Sequence, residues 1–340
     1  MDSPSTSTTE NGYMNRPSGM EFLGSLTDYA LPLYKSGSTI DAAPQPVNRL
    51  LRDYLSVDIT GLDRAVMEIV NRVRPKSLRA FDQIPMRSPD LIRQVKLMAP
   101  YLADKAVVFL GDHDGTSLLL GLMSKGQLCP SPRSMLLLDF DERLLVAARN
   151  LASEYGFSDL LETQLYNVFD PVPSNLSEKF DWFYTNPPYG CRNQGESARL
   201  FIARCCELAR PQSARGCIIL PDDETRPWTT AAMDATDDFL HKSSWAIHEK
   251  VNRMHQYHLD DDQELASSVI LVKRSTYTSH KFHLMRYAGR RVRFSEIPHF
   301  YGYSVSPPYP RYITVTGSHT YWPATKTRKK LNIAHLDLPS

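Results

Sequence analysis

The stretch Val107-Val108-Phe109-Leu110-Gly111-Asp112-His113-Asp114-Gly115-Thr116-Ser117 decides the fold. Its four leading apolar residues predict a buried strand, glycines bound the loop that follows, and residues 118–123 continue with helical spacing. A strand, a glycine loop and a helix make the first unit of a doubly wound α/β domain, whose ligands sit at the carboxyl ends of the strands. The loop lacks the G-x-G-x-x-G spacing that sets a helix N-terminus on a pyrophosphate, which disfavours a nicotinamide or flavin dinucleotide. Asp112 and Asp114 are instead expected to point into the site, where paired carboxylates repel a pyrophosphate and suit a sulfonium or an ammonium. An S-adenosyl donor therefore fits better than a phosphorylated one, with Gly111 and Asp112 as donor-loop candidates.

The following segments extend the pattern. Leu136-Leu137-Leu138-Asp139 reads as a second strand ending in an acid, the position at which α/β nucleoside sites hold ribose hydroxyls, so Asp139 is the ribose candidate. Asp141 is expected to cap the helix at 144–155. A third strand at 163–166 ends at Asn167-Val168-Phe169-Asp170, where Asn167, with Asp170 as the alternative, is placed to accept from an adenine amino group. Strands at 180–185 and 216–220, helices at 198–209 and near 230–241, and a closing hairpin of 244–253 and 267–274 complete the sheet.

The fourth strand runs into Thr185-Asn186-Pro187-Pro188-Tyr189-Gly190. Two prolines remove two backbone donors and stiffen the turn, which exposes the Asn186 amide and neighbouring carbonyls. Tyr189 adds a ring face for a stacked base or an ammonium. Asn186 and Tyr189 are thus acceptor-side candidates for alkylation of a nitrogen. An aliphatic amine is almost wholly protonated at neutral pH, so its attack needs a carboxylate to take the proton, and Asp114 can serve as that base.

Over residues 78–275 the chain resembles the branched-chain polyamine synthases, the N4-bis(aminopropyl)spermidine synthase family. Phe81-Asp82-Gln83, Leu97-Met98, Gly111-Asp112-His113-Asp114, Thr116-Ser117, Leu138-Asp139-Phe140-Asp141-Glu142-Arg143 and the Pro187-Pro188 turn carry the resemblance. It implies a class I adenosylmethionine-dependent transferase (Rossmann-like) sheet, preceded by a winged-helix-like domain. It also implies aminopropyl transfer from decarboxylated S-adenosylmethionine to a polyamine, with Asp114 catalytic; Phe81-Asp82-Gln83, with Gln83 as the donor-side candidate, is placed either to reach over the donor or to serve as a plain linker. The family's Gly-Asp-Asp-Asp loop becomes Gly111-Asp112-His113-Asp114, and its Asp-Pro-Pro-Glu becomes Asn186-Pro187-Pro188-Tyr189. The latter, with Gly195 and Phe201, is similar to amino-methyltransferases that modify adenine, cytosine or glutamine nitrogens. N-methylation from S-adenosylmethionine is the second reading, and a binding module that keeps the adenosyl fold without catalysis is the third.

Composition narrows the classes further. With 340 residues and a formal charge of +1, the chain can bury a substantial core and carries no chain-wide basic field for nucleic acid, which stays a partner only under the methylation reading. Five cysteines without C-x-x-C spacing support neither a disulfide framework nor a metal site, and with no signal-peptide or membrane-span pattern the expectation is a cytoplasmic protein. Expected boundaries are a disordered tail at 1–19, a helical or winged-helix-like module at 20–79, the transferase domain at 80–275, an extension or lid at 276–322 and a basic tail at 323–340. The module contains helical patterns at 20–34, 47–55 and 62–73 and is expected to cover the active site or build a homodimer contact.

Overall fold

Five strands of the sequence pattern form the parallel part of one seven-stranded sheet. The computed structural model describes residues 49–223, 225–258, 265–275, 286–302, 305–316 and 319–321. The helical pattern at 20–34, the acidic connector of Asp260, Asp261, Asp262 and Glu264, and the basic run 326–330 lie outside the described residues. In chain order the elements are α1 (Arg49–Leu55), α2 (Gly61–Val73), a 3-10 turn (Arg79–Phe81), α3 (Ser88–Leu102), β1 (Ala106–Leu110), α4 (Thr116–Lys125), β2 (Ser134–Asp139) and α5 (Glu142–Glu154). Then come β3 (Leu161–Leu165), β4 (Trp182–Thr185), α6 (Glu196–Leu208), β5 (Arg215–Pro221), α7 (Pro227–Lys242), β6 (Trp245–Gln256) and β7 (Ala266–Arg274). A second 3-10 turn (Phe294–Glu296) and the short strands β8 (Pro310–Ile313) and β9 (His319–Tyr321) follow.

The sheet order is β3-β2-β1-β4-β5-β7-β6. Pairings from β3 to β5 are parallel, and β7 inserts antiparallel between β5 and β6. This is the class I adenosylmethionine-dependent, Rossmann-like α/β arrangement, with its switch point between β1 and β4, where the strand order reverses. Both faces are covered, so β1 is a continuous buried apolar run rather than an alternating one. Val107 and Phe109 point to the face packed by α3, α4 and α5, while Val108 and Leu110 point to the face packed by α6 and α7.

Local signals explain where the helices begin. Thr60 Oγ1 accepts from Asp63 N at 3.2 Å and Asp63 Oδ2 accepts from Thr60 N at 2.8 Å, a reciprocal cap that starts α2. Asp141 caps α5 as its position suggests, accepting from Arg143 N at 3.1 Å. Leu50, Tyr54, Met67 and Val70 of α1 and α2 pack into the same apolar cluster as Val107 and Phe109 of β1.

Residues 286–302 and 305–316 pack on the α6 side of the sheet. Arg204, fully buried in α6, pins the first of them there: Nη1 donates to Tyr287 O and Nη2 to Arg290 O, each at 2.8 Å, and Nε donates to Val168 O at 2.9 Å. Asp170 pairs with Arg291 at 2.9 Å and Arg311 at 3.3 Å, which attaches both to the loop after β3.

Candidate active site

A cavity of about 460 Å³ opens over the carboxyl ends of β1, β2 and β4, within the usual size of a small-molecule site. Gly111, His113, Asp114, Asp139, Asn167, Gln83, Asn186 and Tyr189 all line it. The strand tips and the loops after them bring these residues together across the switch point, from positions spread along the chain.

At the β1–β2 end the backbone leaves β1 through Gly111 with φ +70°, a conformation that favours glycine. A Cβ there would stand 2.7 Å from Phe201 Cε1, so the ring of α6 closes one side of the loop. Asp139 Oδ1 accepts from Asp141 N at 2.8 Å. Burial, reinforced by the neighbouring Asp141, pushes its carboxyl up to about 8. Phe140 and Tyr301 lie nearly parallel with centroids 5.9 Å apart, and Phe81 stands edge-on to both. Gln83 is held between two groups, with Leu78 N donating to Oε1 at 2.8 Å and Nε2 donating to Asp141 Oδ2 at 3.0 Å.

Two expected site residues are employed elsewhere. Asp112 is fully buried and does not line the cavity; its oxygens accept from Thr116 N at 2.9 Å and Ser117 N at 2.7 Å, capping α4. A helix start with its donors exposed next to an aspartate is satisfied this way, which leaves one cavity carboxylate from this loop instead of two. Asn167 lines the wall, but Oδ1 accepts from Phe169 N at 3.0 Å and Nδ2 donates to Arg311 O at 2.7 Å. Its amide anchors the C-terminal segment, and Asp170, the alternative, is held by Arg291 and Arg311.

Asp114 occupies the junction of the cavity's two ends. It is 2% exposed; Met86 N donates to Oδ1 at 2.7 Å and the Asn186 amide donates to Oδ2. Arg74 Nη1 donates to its carbonyl at 2.9 Å. Burial raises its carboxyl above the ordinary range, opposed by the Met86 amide, Arg74 and Asn186. The preceding His113 is kept neutral, its pKa driven down to about 3 by burial, with Nε2 3.0 Å from Ser77 Oγ. Asn186 Oδ1 accepts from the Tyr189 hydroxyl at 3.3 Å, and that hydroxyl bonds the Tyr257 hydroxyl.

Several lining residues escape sequence reasoning. Asp82 takes φ +56° and presents a carboxyl that burial pushes up to about 7, against the pull of Arg79. Trp228, Tyr257 and Tyr301 come from α7, the end of β6 and the C-terminal segment. Only Asp82 had a signal, its place in the Phe81-Asp82-Gln83 run; the others reach the cavity through tertiary packing.

The model of the branched-chain polyamine synthase A C-terminal domain matches residues 62–298. The chain is similar to the N(4)-bis(aminopropyl)spermidine synthase of Thermococcus kodakarensis, 33% identical over 137 residues that cover 40% of this chain and 36% of that protein. The N(4)-bis(aminopropyl)spermidine synthase of Methanocaldococcus jannaschii is 30% identical over 129 residues, 37% of this chain and 34% of that protein. Among solved structures, the branched-chain polyamine synthase from Thermus thermophilus, in complex with N4-aminopropylspermidine and 5′-methylthioadenosine, has the same fold. It matches with a TM-score of 0.52 at 21% identity, over 64% of this chain and 67% of that one.

Proposed function

Because this chain belongs to the family of the branched-chain polyamine synthase A C-terminal domain, we propose that it transfers an aminopropyl group from decarboxylated S-adenosylmethionine to a polyamine nitrogen. The observation that carries this reading is Asp114, a buried carboxylate at the switch point, held by Met86 N and Asn186 and facing the cavity. An adenosyl sulfonium suits the residues present. Asp139 offers an acceptor at the tip of β2, Phe81, Phe140 and Tyr301 offer ring faces, and the loop after β1 has no phosphate cradle. When bound, the donor supplies a propyl carbon activated by a sulfonium that leaves as a neutral thioether. Asp114 takes the proton that the acceptor nitrogen sheds as its bond to carbon forms. Asp82 adds a second carboxyl for a cationic chain, and Tyr189 and Trp228 wall the acceptor side.

In this reading residues 49–79 belong to the catalytic unit. Arg74 at the end of α2 holds the Asp114 carbonyl, and the 3-10 turn carries Phe81 to the cavity. The second reading, N-methylation, is favoured by one observation: the β4 turn offers an amide, Asn186, as the immediate neighbour of Asp114. Calorimetric titration of the full chain with the two donors separates them. Tighter binding of the decarboxylated donor is expected; preference for the carboxylated one shifts the assignment to methyl transfer.

A further inference from the structure

Behind the acceptor wall, a run of buried polar groups continues from Asn186 into the closing hairpin. The Tyr189 hydroxyl bonds the Tyr257 hydroxyl, the Tyr257 hydroxyl lies 2.7 Å from Ser267 Oγ, and Ser267 Oγ lies 3.1 Å from His255 Nδ1. Ser267 and His255 are fully buried, and His255 Nε2 has no partner among the described residues. Each hydroxyl owns one proton, so where each donates along the run the direction of one bond sets that of the next. An ionised Asp114 only accepts, so Asn186 turns its NH₂ to Asp114 and its oxygen to Tyr189. Tyr189 then donates to Asn186, Tyr257 to Tyr189, Ser267 to Tyr257 and His255 Nδ1–H to Ser267, which leaves Nε2 as a bare lone pair. A protonated Asp114 favours the reverse: the amide flips, every hydroxyl turns round, and the proton of His255 must sit on Nε2 as an unpaired buried N–H. Orphaned buried N–H groups are rarer in native structures than under-satisfied acceptors.

We infer that Tyr257, Ser267 and His255 are positioning residues whose one-way hydrogen-bond chain, acting through Tyr189 and Asn186, holds Asp114 in its ionised, proton-accepting form. An amide does not relay protons, so the chain transmits polarity rather than a proton. Its effect opposes burial, which raises the Asp114 pKa. The other titratable groups that interact with Asp114 are Arg74 from the end of α2, Asp112 from its own loop and Tyr184 from β4. None of them changes when the far end of the chain is cut. The catalytic consequence rests on Asp114 being the base, but the polarity itself does not.

The test is Ser267→Ala, with Tyr257→Phe as a second variant and Ser267→Thr as the conservative control. The Asp114 carboxyl is titrated by ¹³C NMR, its resonance assigned by its loss in Asp114→Asn. Cutting the chain should raise the Asp114 pKa by roughly 1 unit, a tenfold change in ionisation, and Ser267→Thr should restore it. The acidic limb of the kcat profile should move by the same amount with donor affinity unchanged. Unshifted Asp114 titration in both folded variants, or a kcat lowered equally at every pH, overturns the inference. A shifted titration in a chain that turns over no amine supports it and counts against the aminopropyl reading instead.

Discussion

At the β1–β2 end of the cavity the polar groups sit on the sheet itself: Gly111 follows β1, Asp139 ends β2, and Phe140 comes next in the chain. At the β4 end they sit on a proline-stiffened turn and on the hairpin that closes the sheet: Asn186, Tyr189 and Tyr257, backed by Ser267 and His255. The first end keeps the family's acid at Asp139; the second has Asn186 and Tyr189 where the resemblance expects two acids. In the proposed function, donor recognition is tied to the tips of β1 and β2, whereas acceptor recognition rests on the turn after β4 and on the closing hairpin. Asp114 belongs to both ends, since its loop leaves β1 while its carboxylate meets Asn186.

Asp114→Asn is the sharpest way to break this division. If one carboxylate serves the acceptor, turnover should fall by about 10² or more, the usual contribution of a positioned base, with donor affinity intact by calorimetry. Loss of donor binding instead would place Asp114 with the first end. Asp139→Ala should do the opposite, weakening the donor by roughly 1 to 3 kcal/mol, the scale of a buried hydrogen-bond partner left unsatisfied. Unchanged donor affinity in the folded variant would remove Asp139 from the ribose role.

Much of this division is legible in the sequence. Parallel strands buried on both faces are written as uninterrupted apolar runs, so β1 and β2 are visible in Val107 to Leu110 and Leu136 to Leu138, and their tips follow directly. Helix α3 goes unread, although Ser88-Pro89-Asp90 marks its start and Leu91, Ile92, Val95, Met98 and Leu102 its buried stripe. Asp112 and Asp114 look alike in sequence, yet one carboxylate caps α4 and the other meets the cavity; only the position of the helix start tells them apart. Asn167 is diverted by the carbonyl of Arg311, a partner far along the chain that no local pattern announces. Tyr257 and Tyr301 are invisible for the same reason.

The Asn186→Asp exchange probes the acceptor end alone. With a polyamine acceptor the added carboxylate attracts the substrate but replaces the amide that donates to Asp114, so turnover should fall at acidic pH and return to within about tenfold of the wild type at alkaline pH. With single-stranded nucleic acid it should weaken acceptor binding, and activity confined to nucleic acid that collapses in the variant would reverse the assignment.

The smallest effect is on stability. Asp139 and Asp112, pushed up to about 8 and about 7 by burial, titrate near 3.9 in the unfolded chain. Between those limits the folded state binds more protons than the unfolded one, so their contribution is complete below about pH 4 and is lost as pH rises through the folded values. Below about pH 6.5 the buried neutral His113 and His255, driven down to about 3, add an opposing slope, so the fall in melting temperature, roughly a few degrees, should show between about pH 6.5 and pH 8. A cationic donor bound beside Asp139 should flatten the slope; a stability that rises over that range would contradict the assigned burial of these carboxyls.

The most direct test is mass spectrometry of the products formed by the full chain from spermidine and decarboxylated S-adenosylmethionine, run beside Asp114→Asn. A spermidine heavier by one aminopropyl group, matched by 5′-methylthioadenosine and strongly reduced in the variant, is the predicted result. Methylated acceptor from S-adenosylmethionine, with no aminopropyl product from the decarboxylated donor, would contradict it.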